Sequence, residues 1–138
     1  MLSMPKSFPI ISKGFHPFAE LIGFKFAKFK DGFSQIILDV EEKLFNPHSV
    51  LHGGVLYSMA DTGMGGALYP CLNEDDSCAT IEIKINYFKP VKSGKIICNT
   101  KLVHKGKNIA VLESKMLNNN ELVAKAIGTY SIFSVRQK

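Results

Sequence analysis

One carboxylate stands alone in an apolar stretch near the middle of the chain. In NPHSVLHGGVLYSMADTGMGG, residues 46–66, Asp61 is the single acidic residue, and no other Asp, Glu, Lys or Arg occurs between Ser49 and Asn73. A charge buried without a partner is costly, so such a group finds a partner or changes its protonation. Asp61 therefore either accepts hydrogen bonds from strand hydroxyls such as that of Thr80, a structural role, or takes part in chemistry.

Five glycines accompany this carboxylate. Gly53 and Gly54 fall where a helix is expected to begin, and the first N–H groups of a helix lack helical partners and carry partial positive charge. Such an end can polarise a carbonyl oxygen, as an oxyanion hole does. Gly63, Gly65 and Gly66 each weaken a helix by about 0.5–1 kcal/mol relative to Ala. They indicate close packing of another element, room for a substrate, or both.

The spacing of these groups predicts a site shared between two subunits. Asp61 follows Gly54 by seven residues, which is about 10 Å along a helix axis. A carbonyl bound at Gly54 would be too far from the Asp61 of its own helix, since water activation or direct attack needs contacts of roughly 3 Å. Two such helices packed antiparallel, roughly 8–10 Å apart, bring the N-terminus of one helix beside Asp61 of the other. If both groups act on one substrate, the protein is an obligate dimer with two equivalent sites.

One helix and six strands are expected to position these residues. The helix runs from about 51 or 52 to Tyr69 and ends near Pro70; because its apolar residues lie all round the cylinder, we expect a curled sheet to bury it on every side. Short turns between the strands indicate antiparallel neighbours and an α+β fold. A short helix is predicted at 16–23. The strands are predicted at 24–30, 33–42, 79–88, 95–104, 109–117 and 121–135, the third with Ile81, Ile83, Ile85 and Tyr87 on one face.

Length and composition indicate one domain over residues 1–138, with a net charge of +5 that favours polyanionic partners. Three cysteines without a CxxC spacing favour a reducing compartment, and we expect the cytoplasm. Residues 1–15 lack the cleavage site of a signal peptide, although two lysines without an acid leave an organelle-targeting segment open. Val50–Leu72 is long enough to span a bilayer, but Asp61 and Pro70 argue against insertion.

Three other chemistries find little support in the sequence. His48, His52 and Asp61 could suggest a metal site, but no third nitrogen or sulfur ligand is near, so no metal is expected. A serine hydrolase would need a GxSxG motif, which is missing. A basic recognition helix is missing too, so we expect no nucleic-acid partner.

The motif from Asn46 to Ala67 resembles that of the hotdog-fold acyl-CoA thioesterases, in the branch typified by the phenylacetate-pathway thioesterase. The resemblance rests on Asn46, the HGG of 52–54, and Asp61 with Gly66 and Ala67, and it continues through ATIEIKINYFKP and, more loosely, HKGKN. It implies a hotdog fold, hydrolysis of an aryl- or fatty-acyl-CoA, no cofactor beyond the coenzyme A of the substrate, and assembly as a dimer or a dimer of dimers.

The resemblance also implies a role for each matched position. The Gly54 N–H would bind the thioester oxygen, while His52 and Asn46 would shape that end of the helix. Asp61 of the facing subunit would act as general base or nucleophile, and Thr80 would orient the water. The coenzyme A arm would contact two segments, one comprising Tyr87, Lys89, Pro90, Val91 and Lys92 and the other His104, Lys105, Gly106 and Lys107, with Gly53 also in the binding site.

Two alternatives remain open at the level of the sequence. The same fold hosts enoyl-CoA hydratases, which use a different His and Asp arrangement, and non-catalytic acyl-CoA-binding proteins. The acyl group is also open, because the depth of its pocket depends on several strands and two subunits.

Overall fold

The computed structural model describes residues 14–135. Residues 1–13 and 136–138 lie outside the described part, and with them lies most of the segment 1–15, for which no signal peptide is predicted. A short helix and two strands come first, then the long helix, then four strands. These are α1 (Pro17–Ile22), β1 (Lys25–Lys30), β2 (Phe33–Asp39), α2 (Gly53–Leu68), β3 (Asp76–Tyr87), β4 (Lys95–Lys105), β5 (Ile109–Asn118) and β6 (Glu121–Ser134). None of the helices within 14–135 has the length and hydropathy needed to cross a membrane.

The six strands form one antiparallel sheet in the order β1-β2-β4-β5-β6-β3. The predicted α+β layout, with a long helix against a curled sheet, is confirmed. Local sequence explains most of the boundaries: Gly32 takes the positive φ of 77° that the β1–β2 turn requires, and Pro70 falls in the 3-10 turn Tyr69–Cys71 that ends α2. Within residues 14–135 the edge strands of the sheet are β1 and β3, so the strand that carries Thr80 pairs with another described strand on one side alone.

The core lies between one face of α2 and the concave face of the sheet. Met59, Met64 and Leu68 of the helix are 0% exposed. Three hydroxyls, those of Ser34, Thr100 and Ser114, are buried in the same layer and are satisfied: Ser34 Oγ donates to the Gly63 carbonyl at 2.6 Å, and the other two bond each other at 2.6 Å. The sheet side of this core includes Ile36, Leu38, Ile96, Leu112 and Met116.

The prediction that α2 is buried on every side is wrong for the single chain. Val55, Met59 and Gly63 face the sheet and are buried, but Tyr57 is 37% exposed and Asp61 is only half-buried. Six strands of this length curl around one side of the helix, so a stripe along α2 stays outside the sheet. The lone carboxylate lies on that stripe.

A β-bulge in β3 changes the alternation that the sequence predicts. Thr80 pairs with Tyr130 of β6 and Glu82 pairs with Thr129, which leaves Ile81 as the extra residue. Ile81 is 56% exposed, so it does not share the half-buried environment of Ile83. Because of this extra residue, both Thr80 and Ile83 can face the helix although they are an odd number of positions apart.

Candidate functional site

The N-terminal tip of α2 is held by polar contacts within the chain. His52 is the N-cap residue, and its Nδ1 accepts a hydrogen bond of 2.8 Å from the Gly54 N–H. Tyr87 donates its hydroxyl to the Gly53 carbonyl at 2.8 Å. The amide predicted to bind a thioester oxygen therefore has an internal acceptor in this structure. His52 is exposed, so its side chain can turn away and release the amide to a ligand.

The loop before α2 places Asn46 beside this tip. Asn46 Oδ1 accepts from the His48 N–H at 2.8 Å, which fixes the loop ahead of the helix. A cavity of about 370 Å³ opens here, and it brings together six of the predicted site residues. These are Asn46, Gly53, Tyr87, Lys89, Pro90 and Val91.

Two hydroxyls from the sheet hold the Asp61 carboxylate in the middle of α2. Thr80 Oγ1 lies 2.7 Å and the Tyr130 hydroxyl 2.5 Å from Asp61 Oδ1. The Tyr130 hydroxyl is also 2.8 Å from the Asp61 main-chain carbonyl, so its one proton is shared between the side chain and the backbone of Asp61, and both contacts link this residue to β6. Asp61 Oδ2 receives no hydrogen bond from the described residues. One carboxylate oxygen is therefore anchored, and the other is available to a water or a substrate.

Tyr130 is a site residue that the sequence analysis missed. It is 3% exposed, and burial first, then its hydrogen bond with Asp61, raises the pKa of its phenol above the ordinary value. The hydroxyl consequently stays protonated and remains a donor at neutral pH. The sequence offers one indirect signal, a tyrosine in the last predicted strand. The structure relates this tyrosine to Thr80, because Tyr130 of β6 pairs with Thr80 of β3.

A second cavity, which we call the Asp61 cavity, lies along the open stripe of α2. Its volume is about 470 Å³, and Asp61, Thr80 and Tyr130 line it together with Gly65. The other walls are largely aromatic and include Phe15, Phe18, Phe26, Tyr57 and Tyr69. A carboxylate whose Oδ2 accepts no hydrogen bond from residues 14–135 thus opens into an apolar space of the size that ligands occupy in proteins.

The structure does not bring all the predicted residues to one place within a chain. The tip at Gly54 and the carboxylate of Asp61 are about two helical turns apart, roughly 10 Å along the axis. His104, Lys105, Gly106 and Lys107 lie at the β4–β5 turn, beyond Leu102. Leu102 bonds the Gly32 carbonyl, and Gly32 bonds the Ala67 carbonyl in the last turn of α2. The two segments predicted to contact coenzyme A therefore lie near opposite ends of this helix.

The lysines expected to face phosphate groups are exposed, and one of them is paired. Lys89 Nζ lies 2.8 Å from Glu121 Oε2, and both side chains are more than half exposed. Such a pair is weak in water, so a phosphate could compete for Lys89. Lys92, Lys105 and Lys107 are also exposed.

Comparison with known proteins places these features in a family context. The family model described as the thioesterase superfamily matches residues 48–125, which include the α2 tip, Asp61 and Thr80. The chain is 34% identical over 113 residues to a protein of Saccharolobus solfataricus that is named, provisionally, an esterase, with 81% of this chain and 75% of that protein covered. It is 26% identical over 104 residues to the acyl-coenzyme A thioesterase PaaI of Escherichia coli, covering 75% of this chain and 72% of that protein.

A solved structure gives the same picture for the fold. The crystal structure of a thioesterase from Haemophilus influenzae superposes with a TM-score of 0.81 at 26% identity, covering 86% of this chain and 84% of that one. These similarities confirm the family resemblance that the motif around Asp61 predicts, the predicted fold, and the predicted class of enzyme.

Proposed function

Because the chain belongs to the thioesterase superfamily, we propose that it hydrolyses an acyl-CoA thioester to the free acid and coenzyme A in a site shared by two subunits. No cofactor takes part in the proposed reaction. The name of the Escherichia coli relative, an acyl-coenzyme A thioesterase, supports coenzyme A as the thiol.

The observation that carries the proposal is the Asp61 carboxylate, anchored by one oxygen and open at the other. Thr80 and Tyr130 both bond Oδ1, so Oδ2 can take a proton from water or attack a carbonyl carbon directly. Water activation requires a carboxylate within hydrogen-bond reach of the water in a fixed direction, and two anchoring donors supply that direction. Whichever of these roles Asp61 plays, the carboxylate must reach the thioester carbon.

The thioester oxygen is bound by the Gly54 N–H in this mechanism. A tetrahedral intermediate places negative charge on that oxygen, and a helix N-terminus stabilises the charge with an oriented amide and the helix dipole. The Gly54 N–H donates to His52 Nδ1 in the structure, so in the proposed reaction the thioester carbonyl oxygen replaces His52 Nδ1 as the acceptor. Asn46 lies in the cavity beside this tip, within reach of the thioester or its water.

A second subunit is required because one chain holds the two groups about 10 Å apart. The edge of β3, which pairs with no further strand among the described residues, supports self-association there: Ile81 is 56% and Tyr87 50% exposed, and Phe88, the next residue, is 53% exposed. An exposed apolar edge strand favours pairing with another chain. The pairing would also bring the β4–β5 turn of one subunit towards the α2 tip of its neighbour, where both segments could contact one coenzyme A molecule.

The proposal is tested by thiol release from a panel of aryl- and fatty-acyl-CoAs, with the wild type beside Asp61→Asn. We expect the wild type to hydrolyse at least one member, and Asp61→Asn to lower kcat by about 10²–10⁴-fold because the amide cannot accept a proton. Asp39→Asn removes an exposed carboxylate of β2 and is the matched control, with kcat unchanged.

Other outcomes would assign a different function. Equal turnover by the wild type and Asp61→Asn would remove Asp61 from the mechanism. Tight binding of acyl-CoA without thiol release would indicate a binding protein, and addition of water to an enoyl-CoA would indicate a hydratase. Size-exclusion chromatography with light scattering of both proteins shows whether any loss of turnover reflects loss of the dimer.

A further inference from the structure

The three glycines after Asp61 have different surroundings. A Cβ on Gly63 would lie 2.7 Å from Thr100 Oγ1, and one on Gly66 would lie 2.5 Å from the Phe26 ring, so close packing accounts for both. A Cβ on Gly65 would have no atom within 4 Å. Packing within the chain therefore does not explain why a residue that weakens helices occupies this position.

The space beside Gly65 is the Asp61 cavity. Gly65 follows Asp61 by four residues, so the two lie one above the other on the same face of α2. Tyr57 and Tyr69 continue this face in the two directions, and all four residues line the cavity. A group that extends from a reacting atom at Asp61 into the cavity passes directly over Gly65.

The chemistry of the walls limits what the cavity can hold. None of its lining residues within 14–135 is a lysine or an arginine, and Asp61 is the one acidic residue among them. Among residues 14–135, a carboxylate at the far end of an acyl group would find no lysine or arginine in these walls and His16 as their one basic side chain, so it would carry much of the cost of a poorly paired buried charge. Aromatic side chains such as Phe18 and Phe26 instead offer apolar contact. At about 470 Å³ the cavity falls within the range of ligand pockets in proteins and is far larger than an acetyl group requires.

We propose that the Asp61 cavity binds the acyl group of the thioester, that it selects uncharged apolar acyl groups larger than acetyl, and that Gly65 sets the size it accepts. The inference rests on the proposed function, since it takes the reacting carbonyl to lie at Asp61. Its new content is a specificity-determining position: an apolar acyl chain of medium or greater length passes over Gly65, and a side chain there shortens the space.

The experiment compares Gly65→Ala and Gly65→Leu with the wild type on acetyl-, hexanoyl- and decanoyl-CoA. Both variants improve helix propensity and have free space, so their midpoints of thermal unfolding should equal or exceed that of the wild type. Gly65→Leu should lower kcat/KM for decanoyl-CoA about tenfold or more relative to acetyl-CoA, because one pocket residue shifts discrimination by this order. Gly65→Ala, with the smaller side chain, should give a smaller shift in the same direction.

Binding measurements separate failure of this inference from failure of the proposed function. Calorimetry on Asp61→Asn and on the double variant with Gly65→Leu gives the Kd for decanoyl-CoA and for coenzyme A alone. Weaker decanoyl-CoA binding in the double variant, with coenzyme A binding unchanged, supports the inference even if the wild type proves inactive. An unchanged chain-length profile in folded, active Gly65→Leu overturns it. Loss of the dimer in Gly65→Leu also overturns it, because the open face would then belong to the partner subunit.

Discussion

The two groups proposed to act on the thioester, the Gly54 amide and the Asp61 carboxylate, are held in different ways although both lie on α2. At the tip of α2, the Gly54 amide bonds an exposed side chain, His52, only two residues away. In the middle of α2, the Asp61 carboxylate bonds Thr80 and Tyr130, which come from strands 19 and 69 residues further along the chain. The hydrogen bond at the tip is local and easily exchanged. The two hydrogen bonds at Asp61 are long-range, and the one from Tyr130 is partly buried.

This difference follows from what each group would have to do. An amide that binds an incoming carbonyl oxygen must be released from its resting partner, and a local, exposed acceptor such as His52 can leave by a side-chain rotation. A carboxylate that takes a proton in one direction must keep that direction, because small displacements of a catalytic group are costly. The Tyr130 phenol contacts both the side chain and the main chain of Asp61, so in the proposed reaction Tyr130 acts as a positioning residue.

Among the variants of groups other than Asp61, the largest loss of kcat is expected from removing the Gly54 amide while α2 stays folded. Gly54→Pro deletes the amide N–H at the second position of α2, where no helical hydrogen bond is lost. We expect kcat for acyl-CoA hydrolysis to fall about 10²–10³-fold, the usual effect of removing one oxyanion-hole donor. Gly54→Ala adds a Cβ but keeps the N–H, and because the nearest atom to that Cβ is in the movable His52 side chain, it should retain most of the activity.

The same variant shows whether the tip and the carboxylate belong to different chains. Co-expression of differently tagged Gly54→Pro and Asp61→Asn chains yields mixed dimers in which one of the two shared sites has both groups intact. Random pairing should restore about a quarter of the wild-type activity, and the purified mixed dimer about half. No recovery in the purified mixed dimer would mean that both groups act from a single chain, contrary to the distance along α2.

A smaller loss of kcat is expected from removing the Tyr130 hydroxyl that holds Asp61 in the middle of α2. Tyr130→Phe keeps the ring but removes the donor to Asp61, so kcat should fall roughly ten- to a hundredfold while KM changes little. The free energy of unfolding should also fall by about 1–3 kcal/mol because a partly buried acceptor loses its donor. Ser34→Ala removes a different buried hydroxyl that bonds α2, at the Gly63 carbonyl, and is the control: stability should fall while kcat stays unchanged. A proportional rise in KM with kcat unchanged would instead give Tyr130 a role in substrate binding.

The pH dependence of this stability difference has a defined sign. Burial and the hydrogen bond to Asp61 raise the pKa of the Tyr130 phenol in the folded protein above its ordinary value of 10.0. The stabilisation by the phenol is therefore fully present below pH 10 and is lost as the pH rises further towards the folded pKa. Urea unfolding of the wild type and Tyr130→Phe should thus give a constant difference from pH 7 to pH 9, and a shrinking difference above pH 10.

Local signals made most of the fold predictable. The alternation in the strands, the Asp31-Gly32 turn and the glycines at the start of α2 each act over a few residues, and the structure places the elements near the predicted bounds. The pairing of Thr80 with Asp61 was foreseeable as one of two options, because an isolated acid on a helix needs a donor from somewhere in the fold.

The features that the sequence did not reveal depend on tertiary structure or on an unusual residue type. Tyr130 reaches Asp61 because β6 pairs with β3 in a register that a bulge at Ile81 sets, and nothing in the alternating sequence marks that bulge. The open stripe of α2 depends on how far the sheet curls. The cap by His52 was missed because Ser, Thr, Asp and Asn are the usual N-cap residues, and histidine is not among them.

The smallest effect sharpens the comparison at the tip. His52→Ala removes the acceptor of the Gly54 N–H, so the free energy of unfolding should fall by about 1 kcal/mol, as for other N-cap losses. His52→Asn restores a side chain that caps well and should recover most of that stability. During turnover the Gly54 amide bonds a substrate oxygen rather than His52. The loss of kcat in His52→Ala should therefore stay within about threefold, which is smaller than the loss caused by removing one oxyanion-hole donor. A loss of kcat as large as that of Gly54→Pro would mean that His52 itself contacts the reacting thioester. His52 would then be a catalytic residue and not merely the acceptor of the Gly54 N–H.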